Sequence, residues 1–252
     1  MTVRADSSRV DCRARFHFDG QKIGRLSENK KDPDSAFVHE EKLRFKLFPA
    51  LGDGAVGVRD LPFAVAETAD PYVEGIYWTA VSDGRLGLAV FNRGTMALVR
   101  EADGGLSVPL AHAMHYIWRT RMLSGDFEYE FALYPFAGSW RAARLHRNAL
   151  EYSFPPLGIS TAPGSGRRGR RVQLALDLPD DVLVSAAYSR GGRVHVRLFE
   201  HEGRRSTATL RSGLGEMRLV ETDLAGSEKG EVTASLELRP WQLRTVRMDR
   251  RR

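Results

Sequence analysis

Residues 124–140 read SGDFEYEFALYPFAGSW. From Asp126 to Leu133 polar and apolar residues mostly alternate, which is the period of a β-strand with one wet face. The same period recurs in GRLGLAVFNRG (84–94), RVHVRLFEHEG (193–203) and VTASLELRP (232–240). Gly-containing pairs separate many of the runs and favour tight turns. The pattern therefore predicts an all-β fold of the sandwich class, with each run half-buried.

The composition of the 252-residue chain is that of a globular protein, with 42% hydrophobic and 28% charged residues. No apolar run approaches the ~18 residues of a membrane-spanning helix. The start, MTVRADSSRV, lacks the apolar region of a secretory signal. Cys12 is the only cysteine, so an intrachain disulfide is excluded and a reducing compartment is favoured. We therefore predict no membrane partner and a cytoplasmic location.

The formal net charge is +6, and the basic residues are 32 arginines and 6 lysines. Such a charge raises the alternative of nucleic-acid binding, which would be steeply salt-dependent. Most arginines, however, are scattered singly among Asp and Glu. Clusters occur at Arg167–Arg171 and Arg250–Arg252, and no nucleic-acid fold motif accompanies them. These clusters are more typical of a solvated linker and tail, so nucleic acid is an unfavoured partner.

The chain is predicted to divide into two β domains. A helix is expected from Trp140 to Tyr152, with Ser139 as N-cap. One face of this helix would carry Ala142, Leu145, Ala149 and Tyr152. The following segment, TAPGSGRRGRR (161–171), has no period and reads as a linker. The prediction is a large sandwich over 1–160 and a smaller one over 172–252.

The three carboxylates of the opening stretch raise a catalytic alternative. The Cα atoms of Glu128 and Glu130 are expected roughly 6.5–7 Å apart on one strand face. This lies within the about 5–9.5 Å that paired glycosidase carboxylates span, but any E-x-E strand would give the same spacing. The favoured interpretation is a wet acidic face paired across to arginines. The opposite face, with Phe127, Tyr129, Phe131 and Leu133, is expected to be core.

Metal and nucleophile motifs are weak. His112 and His115 form an H-x-x-H pair, and His17 and Asp19 form an H-x-D, but neither pair has an evident third ligand. Cys12 lies in a strand-like run and is expected to be buried and inert.

Four tryptophans are candidates for stacking on sugar rings: Trp78, Trp118, Trp140 and Trp241. Because most tryptophans on alternating strands are core residues, burial is the competing interpretation.

Several short motifs follow one another along the chain. The central ones are GLAVFNRG (Gly87–Gly94), FALYP (Phe131–Pro135) and EYSFP (Glu151–Pro155). A strand-and-turn element follows at Val182–Arg204, and a closing strand, LRPWQLRTVRM, at Leu238–Met248. In this order they resemble the C-terminal β region of glycoside hydrolase family 38, the retaining α-mannosidases. Gln242 stands where that family commonly has an acidic residue.

This resemblance implies a large supersandwich of the galactose mutarotase-like kind followed by a small C-terminal β-sandwich. The family's zinc ligands and aspartate nucleophile lie in an N-terminal catalytic domain that no motif of this sequence matches. The resemblance therefore assigns no catalytic, cofactor-binding or metal residue to this chain, and zinc is expected only with the missing domain. The implied role is a non-catalytic part of an α-mannosidase-like hydrolase, inactive alone, with an α-mannoside or another carbohydrate and a catalytic domain in trans as partners. The alternative is a free-standing carbohydrate-binding or scaffold module.

Overall fold

The structure is a computed structural model that describes residues 1–3, 5, 7–21, 23, 42–94, 97–111, 122–155, 174–212 and 216–250. The described chain is nearly all β, as predicted. It divides into two compact units: unit 1 is Met1–Pro62 with Ala66–Pro155, and unit 2 is Phe63–Val65 with Pro156–Arg252. The expected linker, 161–171, lies outside the described residues, so the expected domain boundaries stay a prediction.

The first part of the chain forms eleven described strands and a helix. They are β1 (Thr2–Val3), β2 (Val10–Gln21), β3 (Leu43–Leu47), β4 (Val56–Leu61), β5 (Ala64–Thr68), β6 (Tyr72–Glu74), β7 (Trp78–Ser82), β8 (Leu86–Arg93), β9 (Ala97–Arg100), β10 (Leu106–Ala111), β11 (Leu123–Ala137) and α1 (Leu145–Ser153). Over the described residues, one sheet has the order β1-β2-β11-β8-β7-β4-β5 and a second has the order β3-β10-β9-β6.

The core of unit 1 lies between these two sheets. Phe131 and Val90 from the larger sheet and Leu98, Val108 and Val73 from the smaller one belong to one buried cluster, each exposing 1% or less of its surface. The packing explains why one side of each strand is apolar, since that side is removed from water.

Strand β8 departs from the expected half-buried pattern. Leu88 and Val90 lie in the core, as the alternation predicts, but Gly87, Ala89 and Phe91 on the other face are buried too. The cause is α1, which packs on that face with the Tyr152 ring 6.2 Å from the Phe91 ring, between centroids. A central strand covered on both sides loses its wet face.

The helix is shorter than expected. Its first residue is Leu145, because Arg144 adopts a left-handed conformation with φ of 53° and separates the helix from the preceding turn. Ser139 caps this turn instead, accepting a hydrogen bond from the Ala142 amide at 3.2 Å. Ala142 is exposed, and the buried face of α1 carries Leu145, His146, Ala149 and Tyr152.

The described strands of the second part are β12 (Leu174–Asp177), β13 (Val182–Arg190), β14 (Arg193–Glu200), β15 (Ser206–Ser212), β16 (Met217–Thr222), β17 (Glu228–Val232), β18 (Ser235–Leu238) and β19 (Leu243–Arg250). Over these residues one sheet has the order β12-β15-β18 and the other β13-β14-β19-β16-β17. Val196, Leu198, Leu236 and Val246 lie in the buried core cluster of unit 2.

The run 232–240, expected to be one strand, is divided between the two sheets of unit 2. β17 ends at Val232 and pairs with β16, whereas β18 begins at Ser235 and pairs with β15. Val232, Leu236 and Leu238 face the same core, as the alternation predicts, but Ala234, which lies between the two strands, is exposed.

None of the described helical residues forms a segment long and apolar enough to cross a lipid bilayer. The cytoplasmic location stays a prediction.

Candidate functional site

The three carboxylates of the opening stretch lie on β11 opposite the basic side chains of β2. The antiparallel register aligns Asp126 with His17, Glu128 with Arg15, and Glu130 with Arg13. His17 Nδ1 lies 2.7 Å from Asp126 Oδ1, and Arg13 Nε lies 2.9 Å from Glu130 Oε1. The interpretation as a polar face paired to arginines is confirmed for Glu130 and Glu128, which pair with Arg13 and Arg15. The partner of Asp126 is instead a histidine, His17.

Glu130 is bound by arginines from both neighbouring strands, β2 and β8. Arg93 on β8 donates to Glu130 Oε2 at 2.9 Å, while Arg13 binds the other oxygen. The hydrogen bonds from Arg93 and then Arg13 lower the pKa of Glu130 from its ordinary value. A general acid of a glycosidase needs the opposite shift, a raised pKa. The local charges therefore suit Glu130 for holding strands together rather than for proton donation.

Within the described residues, the histidine motifs are not part of any group of side chains that could hold a metal ion. His17 is engaged with Asp126, and Asp19 adds only a backbone amide bonded to the Gln21 side chain. Across the described ranges no group of three or more His, Cys, Asp or Glu side chains could hold a metal ion. His112 and His115 lie outside the described residues.

Two of the tryptophan candidates are core residues. Trp78 is fully buried and Trp140 exposes 7% of its surface, and their rings lie 5.9 Å apart between centroids. The indole N–H of Trp78 donates to Nδ1 of His146 at 3.3 Å. Stacking on a sugar is thus excluded for both rings, and the competing interpretation of burial is correct.

The other two tryptophans give little support to the hypothesis of stacking on sugar rings. Trp241 is half-buried at a turn of unit 2, where its amide donates to Glu200 Oε2 at 2.8 Å. Its indole packs on Gly203, at which an added Cβ would lie 2.8 Å from the ring. Trp118 lies outside the described residues.

Cys12 is buried, as expected, with 5% of its surface exposed. Burial raises the pKa of the thiol above its ordinary value. The thiolate, which is the reactive form, is therefore disfavoured.

The two arginine clusters are not covered by the structure. Residues 167–171 and 251–252 lie outside the described residues, and the side chain of Arg250 is not described.

A cleft that the sequence did not indicate lies at one end of the unit 1 sandwich. It has a volume of about 470 Å³. Its walls come from the β3–β4 loop, the β5–β6 loop and the β9–β10 turn, and include Pro49, Leu51, Asp53, Pro71, Arg100 and Glu101. The Asp53-Gly54 and Asp103-Gly104-Gly105 turns were recognisable in the sequence. Their convergence at one place was not, because it depends on the pairing of two separate sheets.

The β3–β4 loop contains Gly52 and forms one wall of the cleft. A hydrogen bond to Asp83, on the neighbouring β7–β8 turn, holds this loop in place. Asp83 Oδ2 accepts a hydrogen bond from the Gly52 amide at 2.7 Å, and Asp83 Oδ1 accepts from Arg85 and Leu86. The backbone hydrogen bonds, with that of Leu86 the largest contributor, lower the pKa of Asp83 to about 2. Asp83 therefore stays ionised at neutral pH and holds this wall of the cleft in place.

Charged side chains at the β9–β10 turn form a local network. Glu101 pairs with Lys46, and its Oε1 lies 3.3 Å from Arg44 Nη1. Burial opposes the ionisation of Glu101, but hydrogen bonds from Lys46 and Ser107 outweigh it and lower its pKa. Lys46 Nζ also lies 2.5 Å from Asp103 Oδ2. The acidic side chains of this turn are therefore compensated by nearby cations.

Part of unit 2 matches a model of a known protein family. Residues 186–246 match the family model described as the glycosyl hydrolases family 38 C-terminal beta sandwich domain. The resemblance to family 38 is confirmed. The matched segment begins within β13 and ends within β19, so it covers most of the five-stranded sheet of unit 2 as well as β15 and β18.

Solved structures extend the likeness to both parts of the chain. An alpha-mannosidase from Enterococcus faecalis V583 matches with a TM-score of 0.66 and 16% identity, over 82% of this chain and 26% of that one. A glycosyl hydrolase family 38 protein from Enterococcus faecalis matches with a TM-score of 0.65 and 15% identity, again over 82% and 26%. At this identity the likeness is one of fold, and the chain corresponds to 26% of the length of each structure. A search of curated proteins found no match.

Proposed function

We propose that this chain is the non-catalytic β-sandwich part of an α-mannosidase-like glycoside hydrolase, acting in α-mannoside metabolism beside a catalytic domain outside this sequence. The observation that carries the proposal is the fold likeness to an alpha-mannosidase over 82% of this chain but 26% of that one. The match of 186–246 to a C-terminal domain of family 38 supports the same assignment.

The chemistry of the described residues supports a non-catalytic role. A retaining glycosidase needs one carboxylate free to attack and a second that can donate a proton. On β11, Glu128 and Glu130 are instead bound by the arginines of β2 and β8. The proposal thus assigns bond cleavage to residues outside this chain and gives the chain the task of supporting the catalytic domain and binding carbohydrate.

An activity assay tests the proposal. The purified chain, with added zinc and an aryl α-mannoside, is expected to show no turnover above a buffer blank. Turnover that disappears in Glu128→Gln or Glu130→Gln would overturn the proposal, because it would place the reaction on β11.

A second test looks for the catalytic partner. Sequencing the DNA upstream of the Met1 codon is expected to reveal coding sequence with a His-x-Asp-x-Gly motif. An unrelated upstream gene would favour the second candidate function, a free-standing carbohydrate-binding module, for which the cleft of unit 1 is the structural argument.

A further inference from the structure

We propose that the cleft of unit 1 binds one neutral hexopyranose unit of an oligosaccharide. The inference rests on the proposed function, since it names the place at which the chain holds carbohydrate. At about 470 Å³ the cleft falls within the ~300–1,000 Å³ typical of small-molecule sites.

The charges of the cleft favour an uncharged polyol. With Glu101 and Asp103 compensated by Lys46 and Arg44, two lining side chains of opposite charge remain, Arg100 and Asp53. In the described part of the chain neither has an ion-pair partner. Hydroxyl groups both donate and accept, so a sugar can accept from the guanidinium and donate to the carboxylate. An anionic ligand attracted by Arg100 would be repelled by Asp53.

Arg100 is placed for this role by its own strand. It is half-buried at the end of β9, where its amide donates to the Pro71 carbonyl at 2.8 Å. Its Nη1 lies 3.4 Å from the Ala69 carbonyl, a weak contact with the wall of the cleft. The remaining guanidinium donors are therefore available to a ligand without breaking an ion pair.

Two exposed aromatic residues are sequence neighbours of prolines that line the cleft. Phe48 and Tyr72 expose 66% and 45% of their surfaces, and each adjoins a lining proline, Pro49 or Pro71. Phe48 packs beside the β9–β10 turn, where a Cβ added to Gly105 would lie 3.2 Å from its ring. The Lys46 ammonium group lies 5.2 Å from the centroid of the Phe48 ring, so this ring is in contact with the charged network of the β9–β10 turn.

The proposal is tested by saturation-transfer NMR and isothermal titration on the full chain, with methyl α-D-mannopyranoside and an α-linked mannobiose as probes. Saturation transfer from the wild-type protein to the pyranose protons is expected. Arg100→Leu should weaken binding by about tenfold or more, because a hydrogen bond from a charged group is lost. Asp53→Asn should weaken it in the same direction.

Arg15→Leu is the matched control, because Arg15 is an exposed arginine on β2 of unit 1 and does not line the cleft. It should bind as the wild type does. Asp53 is exposed, so Asp53→Asn also guards against a loss of binding caused only by misfolding.

Several results would overturn the proposal. They are the absence of saturation transfer with wild type, equal binding by wild type and Arg100→Leu, and much tighter binding of mannose 6-phosphate than of the neutral sugar. Binding that persists in both cleft variants would refute the site while leaving the proposed function intact. Turnover by the chain alone would refute the proposed function and not the cleft.

Discussion

Removing the buried carboxylate of Asp60 should destabilise unit 1 more than any loss of a surface charge. Asp60 is fully buried on β4. Its oxygens accept hydrogen bonds from the amides of Tyr77, at 2.9 and 3.1 Å, and of Trp78, at 3.0 Å. Gly75 lies so close to the carboxylate that a Cβ added to it would be only 2.7 Å from Asp60 Oδ1, so a larger residue would not fit there. The carboxylate therefore fixes the backbone that leads into β7 and positions Trp78.

The magnitude follows from these contacts. In Asp60→Ala two backbone amides beside a buried site lose a charged acceptor, at about 1.5–3 kcal/mol each. Burial of the carboxylate, which is the main reason that its pKa is raised, is itself unfavourable, and this cost disappears with the side chain. The free energy of unfolding should therefore fall by about 2–5 kcal/mol, or roughly 5–20 °C in thermal midpoint.

The assay is thermal and guanidinium unfolding of the full chain, followed by tryptophan fluorescence. Trp78 and Trp140 lie in unit 1 and report its transition. Asp60→Asn preserves the volume of the side chain and separates the loss of charge from the loss of packing.

Asp83→Ala is the matched control, because Asp83 also accepts backbone amides, but at a turn open to solvent. Water can replace that carboxylate, so the loss should be much smaller. An Asp60→Ala protein no less stable than Asp83→Ala would refute the reasoning.

Two further predictions concern the β2–β11 region. Glu130→Gln should lower the free energy of unfolding by less than about 1 kcal/mol, since the ion pairs to Arg93 and Arg13 are partly exposed. Because the pKa of Glu130 is lowered in the folded state, this contribution is present above the unfolded value of ~4.3 and is lost as the pH falls through the folded pKa. Urea unfolding at pH 7 and pH 3 should therefore show a difference between wild type and Glu130→Gln that is smaller at the lower pH; a difference that is equal or larger there would contradict the argument. The thiol of Cys12 should react with Ellman's reagent slowly in the native protein and rapidly in guanidinium, because it is buried with a raised pKa; equal rates would show that the strand opens readily.

The pattern of carboxylates and aromatic residues on β11 shows how much of the structure could be predicted from the sequence alone. Its two-residue period was enough to place Glu128 and Glu130 on one face and Phe131 on the other. The expectation that arginines would compensate the acids was correct for both glutamates, whereas Asp126 pairs with His17. Which arginines do so was not readable, because the register of β2 against β11 and the third contribution from Arg93 depend on strands far apart in sequence.

By itself the sequence determined the fold class, the broad sandwich architecture and the family resemblance, because strand period and turn residues are local properties of the chain. Tertiary packing decided which polar residues are buried and which surfaces are concave. It gave Asp60, in an unremarkable VGVRDLP run, a fully buried position, and it covered both faces of β8 once α1 packed there. It also brought Asp53, Arg100 and the Gly104-Gly105 turn to one cleft. These features depend on free energies of burial and on strand pairing between distant segments, and a local pattern carries neither.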